Sequence, residues 1–564
     1  MPSDALVVGA GPAGLVAANL LARYGADVRV IDQDPGPTSQ SRATIVHIRT
    51  LELLARLGLS GAALARGVRL TGVRLLTAGR HVADIPLAPD RGLEATPFPY
   101  ALALEQGVTQ RLLLESLAAH GRKVEWGTSL VRLTQTDDEA EAVVRAPDGG
   151  EETITASWVV GADGARSTVR RALGIGFAGG TYEQTAFLAD VAMRAPPDPG
   201  FMRLNLVRGG FVGVLPLGGG ERHRLFGALT AELAAKLGVG VDTTVGLEDL
   251  QAWFDRSFFL DTELTQVHWT ALYRTHRRMA DRFRLGRCFL IGDAAHIHSP
   301  AGGQGLNLGM GDGYNLGWKL GAVVRGEART ELLDSYEAER AASARAVVNG
   351  SDRGFEAEAS PNRLMQQFRL HVLPVLLRLL SRTGVTRTLL SKLFSQTWIA
   401  YRRSPAVAGA DQRRRRPHGG PRPGDRAPHG WLELPAAGRT SLYDLLGGID
   451  HHVLLFEGSP EPGGGSPAGE AERGAVDRAD QPHGALDRVA RVLVDLLARY
   501  RMDMRVLWVP RGERALHERY RARGPRVVLI RPDGHIGWQG PADRVQELGA
   551  YLDRWYLAGG GPSA

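Results

Sequence analysis

Asp293 follows an apolar run at 288–291 that reads as a strand, and Gly292 stands directly before it. A Gly302-Gly303-Gln304-Gly305 loop comes next, and a helix is expected to begin near Leu306. A carboxylate at a strand end suits a sugar-type hydroxyl. Bare N–H groups at a helix N-terminus suit negative charge, because about half an elementary positive charge resides there. One stretch therefore offers a hydroxyl acceptor and an anion cradle. That pairing fits a large cofactor with a polyol arm and a ring that becomes anionic.

Three further places carry chemistry. Gly9-Ala10-Gly11-Pro12-Ala13-Gly14 separates an apolar run at 5–8 from an apolar helix, and a second run at 28–31 ends on Asp32. In such a strand–helix–strand unit Gly9 permits the tight turn and Gly11 lets backbone approach a pyrophosphate. Gly14 allows close helix–strand packing, and Asp32 is spaced to bind a ribose hydroxyl. Pro12 fits the first helical turn, where no N–H is needed. Arg42 lies in a loop before an amphipathic helix at 51–59, as a guanidinium able to bind pyrophosphate or a second nucleotide. Gln106 opens a helix, as a cap or as a ligand to the same cofactor. Trp158 to Ser167 repeats the strand–glycine–helix order, with Asp163 at the turn.

These residues need a doubly wound α/β core to bring their corners together. Between 181 and 271 the pattern changes to alternating strands at 186–194, 201–208, 210–217 and 222–230, with Gly218-Gly219-Gly220 as a turn, a helix at 247–254 and a strand at 267–274. Gly305, Gly309, Gly313, Gly317 and Gly321 recur every four residues through the helix after the loop. Each interior glycine costs about 1 kcal/mol against alanine, so the ridge implies close approach to another element. The small face of the first helix, Ala13 and Ala17, is the expected partner.

With these motifs in place the chain resembles the single-component FAD-dependent aromatic hydroxylases, the class A flavoprotein monooxygenases of the p-hydroxybenzoate hydroxylase fold. It is most similar to the bacterial branch acting on phenols and polycyclic polyketides, which has a C-terminal thioredoxin-like domain. The resemblance rests on Gly9 to Gly14, on Asp163-Gly164, and on Gly292-Asp293 running into Pro300 and Gly303-Gln304-Gly305. The chain departs from the family at Leu308, where a threonine is usual, and at Gly311-Asp312, where a glutamine–aspartate pair is usual.

The fold class implied is α/β (α+β overall). A Rossmann-type FAD-binding domain would occupy 1–178 and 276–355, an antiparallel-sheet substrate domain 179–275, a helical segment 356–415 and a thioredoxin-like domain 416–564. The resemblance also implies roles. Gly9, Gly11, Pro12, Ala13 and Gly14 would carry the pyrophosphate turn, and Asp32 the adenosine ribose. Arg42 and Gln106 would line the path of FAD, and backbone near Leu130 would meet adenine. Asp163 would serve FAD and NAD(P)H together, Asp293 the ribityl or pyrophosphate region. Pro300 would lie beside the flavin ring. Gly303, Gln304, Gly305, Leu306 and Asn307 would present backbone donors to the N1–C2=O edge of the flavin, stabilising its reduced anion.

The activity implied is hydroxylation of a phenolic or polycyclic aromatic substrate with NADPH or NADH and O2, through a flavin C4a-hydroperoxide. The substrate's own phenol supplies the nucleophile, so no acid–base residue is assigned. Baeyer–Villiger oxygenation of a polyketide ketone and a non-catalytic flavin-binding scaffold are the alternatives. Phe211, Phe226, Trp269 and Tyr273 are candidates for an aromatic pocket, each also explicable as core.

Bulk properties agree with this. The chain has 564 residues, 43% of them hydrophobic, enough for several cores. A net charge of +7 comes almost wholly from scattered arginines, and the run Arg413 to Arg416 reads as a solvated loop, not a nucleic-acid patch. Cys288 is the sole cysteine, which excludes an internal disulfide, a CxxC pair or a thiolate metal site. His296 and His298 lack partners at metal spacing, so no metal is expected. The apolar segment at 370–380 is interrupted by Pro374 and Arg378, too short for a membrane span. With a strand starting by Ala5 and no leader before it, a cytoplasmic protein is expected. The helices at 332–348 and 364–399 would pack on the FAD domain or form a homodimer contact. A boundary is expected in the proline- and arginine-rich 413–428. Beyond it strands at 453–456, 505–509 and 527–530 alternate with helices at 486–500, 513–522 and 542–556, around a low-complexity insert at 458–483.

Overall fold

The computed structural model describes residues 2–38, 43–87, 95–194, 198, 200–218, 220–238, 240, 243, 245–255, 262–299, 301–358, 362–380, 395–409, 420–434, 438–458 and 482–559. Arg42, Pro300, the 413–416 arginine run and most of the 458–483 insert lie outside them. The chain forms two compact units, 1–22, 27–314 and 340–398 in one, 23–26, 315–339 and 399–564 in the other.

In the first unit, Ser3–Val8 is a buried strand with Ala5, Leu6 and Val7 fully covered, as a continuous apolar run in a parallel sheet should be. It pairs in parallel with Val28–Asp32 on one side and with Glu151–Gly161 on the other, which in turn pairs in parallel with Cys288–Leu290. The register puts Val8 opposite Ile31 and Gly161, and Gly161 opposite Leu290. All these strands therefore end along one edge, and the turns after them converge there. Gly9 has φ +109° and a Cβ on it would fall 2.3 Å from the Ala162 carbonyl oxygen, so this corner closes only without a side chain. At Gly14 a Cβ would meet the Gly9 carbonyl at 2.0 Å, which confirms the close helix–strand packing read from the motif.

The second sheet of this unit runs in the order His296–Ile297, Glu263–Ala280, Phe177–Arg194, Arg222–Leu229, Gly210–Pro216, Phe201–Val207, Gly72–Thr77, Arg80–Pro86. The expectation of strands beyond 181 is met, but the sheet also recruits Gly72–Thr77 and Arg80–Pro86, which the sequence pattern did not show. Gly72–Thr77 joins Phe201–Val207 in parallel, so the sheet is not purely antiparallel. One face buries Phe187, Val191, Val212, Val214, Leu225 and Leu229 beneath Trp253 and Phe254 of the helix Leu247–Trp253 and its end. Side-chain alternation and the pairings Asp190–Arg224, Asp190–Trp269, Ala186–Tyr273, Gly213–Phe226 and Phe211–Ala228 put Phe211, Phe226, Trp269 and Tyr273 together on the opposite face.

The helix Gln304–Val324 starts two residues before the expected Leu306, because Gly302 (φ +72°) and Gly303 (φ +62°) break the backbone just before it. Its glycine ridge meets the expected partner: a Cβ on Gly309 would lie 3.4 Å from Ala13 Cβ, and one on Gly313 2.3 Å from the Ala13 carbonyl.

In the second unit a five-stranded sheet runs Ala408–Gly409, Ile536–Pro541, Arg526–Ile530, His451–Phe456, Met504–Val509. His451–Phe456 is parallel to Met504–Val509 and antiparallel to Arg526–Ile530, which is antiparallel to Ile536–Pro541. Pro482–Leu497, Arg514–Tyr520 and Val545–Trp555 are the accompanying helices. Leu454, Phe456, Val528, Ile530, Leu516 and Tyr520 share its core. Among the described residues no helix is long and apolar enough to cross a membrane.

Candidate functional site

The corners at the strand ends carry the carboxylates. Asp32 accepts the Ala10 N–H on Oδ2 (2.6 Å) and the Asp34 N–H on Oδ1 (2.9 Å), which ties the second strand end to the glycine turn. Burial raises its pKa against the pull of those two backbone donors. Asp163 accepts the N–H groups of Thr168 (2.6 Å) and Val169 (3.1 Å) on Oδ2, while its buried Oδ1 has no hydrogen-bond partner among the described residues. Asp293 is exposed between buried Gly292 and Ala294, so its carboxylate stands out from the corner. Gly11 has no atom within 4 Å of where a Cβ would be. None of the described residues requires glycine there, whereas a bound pyrophosphate would, and a cofactor hydroxyl would satisfy the open Asp163 oxygen.

The sequence pattern gave Gln106 and passed over Gln110. Gln106 accepts the Ala43 N–H at 3.3 Å and does not cap its helix. Gln110, one turn on, donates to the Ala10 carbonyl (2.8 Å) and accepts the Thr38 N–H (2.9 Å), fixing the glycine turn from behind. Its place four residues after Gln106 on one helix face was the signal that could have found it. Gly127 and Thr128 donate to the carbonyls of Asp34 and Asp32, which leads the strand carrying Leu130 alongside Asp32. Arg170 was also missed. It donates to the carbonyls of Ala165 and Ala294 (both 2.8 Å) and so links the Asp163 and Asp293 corners, its guanidinium stacked 3.8 Å over Phe177.

The loop ahead of the glycine-ridged helix is held from the strand Ile45–Val46. Asn307 donates to the carbonyls of Ile45 and Gly303 (both 2.8 Å) and accepts the His47 N–H (2.8 Å). His47 Nε2 donates to the Gly302 carbonyl at 2.9 Å. Burial pushes this imidazole down to about 4, against that bond, so it is neutral at physiological pH. Gly303 and Gly305 are bracketed by Ile45 and His298, with hypothetical Cβ distances of 3.3 and 3.7 Å. The carbonyls of Gly302 and Gly303 are thus engaged, and the helix that starts at Gln304 brings the positive end of its dipole to this loop.

Thr44, just before the strand Ile45–Val46, brings the second sheet to this loop. Arg224, on the aromatic face, donates to Thr44 Oγ1 (2.8 Å) and binds Asp190 with Nε and Nη2 (2.6 and 2.7 Å). Its guanidinium lies 5.6 Å from the Trp269 ring centre. Of the aromatic candidates, Phe211 is buried with Leu75, Leu206 and Ala228, and Phe226 packs beside it edge-to-face at 6.4 Å. Trp269 and Tyr273 are half-buried.

A last group lies behind the loop. Asp312 is fully buried and accepts the Gly292 N–H (3.0 Å) and His296 Nε2 (2.7 Å) on Oδ2, and Arg340 Nε (2.6 Å) on Oδ1. Burial alone would raise its carboxyl, but Arg340 and His296 hold it below the usual range. His298 Nδ1 donates to the Ser299 carbonyl at 2.7 Å. The two histidines are therefore parts of the loop's hydrogen-bond frame.

Comparison with known proteins agrees with this geometry. Residues 2–351 match the family described as FAD binding domain, and residues 420–558 match the one described as aromatic-ring hydroxylase, C-terminal. The chain is 40% identical to 6-methylpretetramide 4-monooxygenase of Streptomyces rimosus over 60% of this chain and 60% of that enzyme, so the match spans less than two thirds of that relative's length. It is 34% identical to a flavin-dependent monooxygenase of Mycobacteroides abscessus over 81% of this chain and 89% of the other. The crystal structure of a ternary complex of aklavinone-11 hydroxylase with FAD and aklavinone superposes with a TM-score of 0.73 at 28% identity, covering 98% of both chains.

Proposed function

Because the chain belongs to the family of FAD-binding aromatic-ring hydroxylases, we propose that it is a monooxygenase using NAD(P)H and O2 to hydroxylate a phenolic or polycyclic aromatic substrate. The observation that carries this reading is the cradle itself: open space at Gly11 and an Asp163 oxygen with no partner among the described residues, at the strand edge that also carries the Gly292-Asp293 corner.

Gly11 backbone receives the pyrophosphate, Asp32 the adenosine ribose, and Asp163 and Asp293 the remaining hydroxyls of FAD. Bound FAD supplies electron transfer from the nicotinamide co-substrate and activation of O2. The chain's own work is to orient and to stabilise charge. The N–H groups from Gln304 to Asn307 favour the anionic edge of the reduced ring. His47, neutral and buried, holds the Gly302 carbonyl without adding charge of its own. Trp269 and Tyr273 offer flat surface to an aromatic ring, and the phenol's own oxygen directs attack, so no protein base is needed. The names of the relatives support hydroxylation over Baeyer–Villiger ring opening.

The βαβαββα order of the second unit, with its sheet directions, supports the thioredoxin-like reading of the C-terminal part. With Cys288 the sole cysteine, its role is structural or associative and not redox. A cytoplasmic location and a homodimer complete the proposal. The test is NAD(P)H consumption by the yellow holoprotein, stimulated by a candidate phenol or polyketide, with oxygen from labelled O2 found in the product. Protein that stays colourless when offered FAD overturns the reading, as does bound FAD whose reduction no aromatic compound accelerates.

A further inference from the structure

The buried pair Asp312–Arg340 lies behind the flavin loop and takes no direct part in the function above. Asp312 is on the helix Gln304–Val324, eight positions after Gln304, which is about 12 Å along the axis. Its carboxylate gathers three donors: the Gly292 N–H at the corner that presents Asp293, the ring N–H of His296, and Arg340 Nε. Only an acceptor-only group can take all three. An asparagine would turn an NH2 toward one of them.

That requirement brings a difficulty. A full negative charge inside the helix that must favour an anionic flavin edge opposes the positive end of the same helix, where only about half a charge resides. In a buried setting the opposition is weakly screened. Arg340 removes it. Its guanidinium binds Asp312 Oδ1 and also donates to the Leu308 carbonyl at 3.0 Å, between the carboxylate and the loop. The room comes from Gly311: a Cβ there would stand 3.0 Å from Arg340 Nη2. This is the position at which the chain departs from the glutamine usual in the family it resembles.

We propose that Asp312 and Arg340 are positioning residues that act as a compensated charge pair, Asp312 fixing the Gly292–Asp293 corner and Arg340 cancelling its charge so that the helix keeps its potential for the reduced flavin. The proposal rests on the flavin reading of the site. It is tested on full-length FAD-loaded protein by two measurements: the dissociation constant for FAD and the midpoint potential of the bound flavin.

Arg340→Met leaves a negative charge, so the potential moves to more negative values. Asp312→Asn leaves a positive charge, so it moves the other way. The double variant Asp312→Asn/Arg340→Met is neutral again and returns toward the wild-type potential. Its FAD binding stays weaker by about tenfold, because the guanidinium bonds to position 312 and to the Leu308 carbonyl are gone and the asparagine NH2 is left buried without an acceptor. A merely structural pair would lower stability in all three variants without shifts of opposite sign. Single variants that hold FAD and shift the potential in the same direction, or not at all, overturn the proposal. Should Arg340→Met fail to fold, Arg340→Lys keeps the charge and loses the paired bonds: an unchanged potential with weaker FAD binding supports the proposal, and a shifted potential overturns it. Wild-type protein that binds no FAD defeats the flavin reading instead.

Discussion

Glu339 and Arg340 are neighbours on the helix Asp334–Glu358, yet they enter different buried charge networks, and the division between the two compact units falls between them. Arg340 belongs to the network around Asp312, whose carboxylate it shares with His296 and the Gly292 N–H. Glu339 belongs to a larger one: it accepts from Lys319 Nζ (2.8 Å), Asn315 (2.7 Å), Ser404 (2.7 Å) and both Nη atoms of Arg531 (2.7 and 2.9 Å), while Arg531 also binds Asp533. Both meet the same condition, that a charge removed from water must be fully paired and hydrogen-bonded. They differ in purpose. The Glu339 bonds given above all lie within the second unit and serve to hold it, whereas the Arg340 network ends on the N–H of Gly292. A buried ion pair alone does not tell function from fold. The backbone group at its end does.

The largest effect that could break this contrast is at Arg531. Arg531→Met leaves Glu339 and Asp533 buried with one guanidinium fewer, and should destabilise the protein by about 3–5 kcal/mol in urea unfolding. FAD affinity of the protein that remains folded should change little. A large loss of FAD affinity with unchanged stability would reverse the roles assigned to the two networks.

Acid should act next, through buried histidines of both units. Burial takes His47 to about 4; burial, then Arg531 and His452, take His451 to about 3. Both folded values lie below the unfolded value near 6.5, so the unfolded chain binds the protons first. Their stabilisation is complete above pH 6.5 and is lost as pH falls to about 4 for His47 and about 3 for His451, on the order of 3 kcal/mol for the first and 5 kcal/mol for the second. His47→Gln should flatten the stability–pH slope between pH 6.5 and 4 by one proton. Equal slopes for variant and wild type would show that the imidazole already titrates in the fold.

A smaller effect separates the two ends of the glycine ridge. Gly313→Ala drives a methyl group into the Ala13 carbonyl and should cost about 1–3 kcal/mol together with FAD occupancy. Gly305→Ala meets His298 at 3.7 Å, ordinary contact distance and the nearest among the described residues, and should be nearly neutral for stability. Similar melting temperatures for the two variants would mean that the ridge does not set the helix position. Least of all, the exposed pair Arg74–Asp84 should be worth under about 1 kcal/mol in a double-mutant cycle, which calibrates the buried networks against a solvent-screened one.

What could be read before the structure was local. Gly9 to Gly14, Asp32, Asp163 and the Gly292-Asp293 corner each declare themselves within a few residues, because a tight turn after an apolar run has few sequence solutions. The glycine ridge announced its partner for a related reason: a four-residue period has meaning only if something comes close on that side. The rest depended on residues distant in sequence. His47 meets Gly302, Arg170 meets Ala294, and Arg340 meets Asp312 through pairings that no local period encodes. Gly72–Thr77 and Arg80–Pro86 escaped because their apolar positions are broken by Arg74, Arg80 and Asp84, and they acquire a buried side only by joining Phe201–Val207. Gln110 was visible as a residue but not as a bridge, since both groups it holds are backbone.

The adjacency of Glu339 and Arg340 also sets a rule for how this helix can change over evolutionary time. Successive helical residues point roughly 100° apart, so losing or gaining one codon just upstream would turn both side chains away from their assigned directions in a single step. Point substitutions elsewhere along Asp334–Glu358 can accumulate one by one. Its length cannot drift, and insertions tolerated in the loops of relatives should stop short of it.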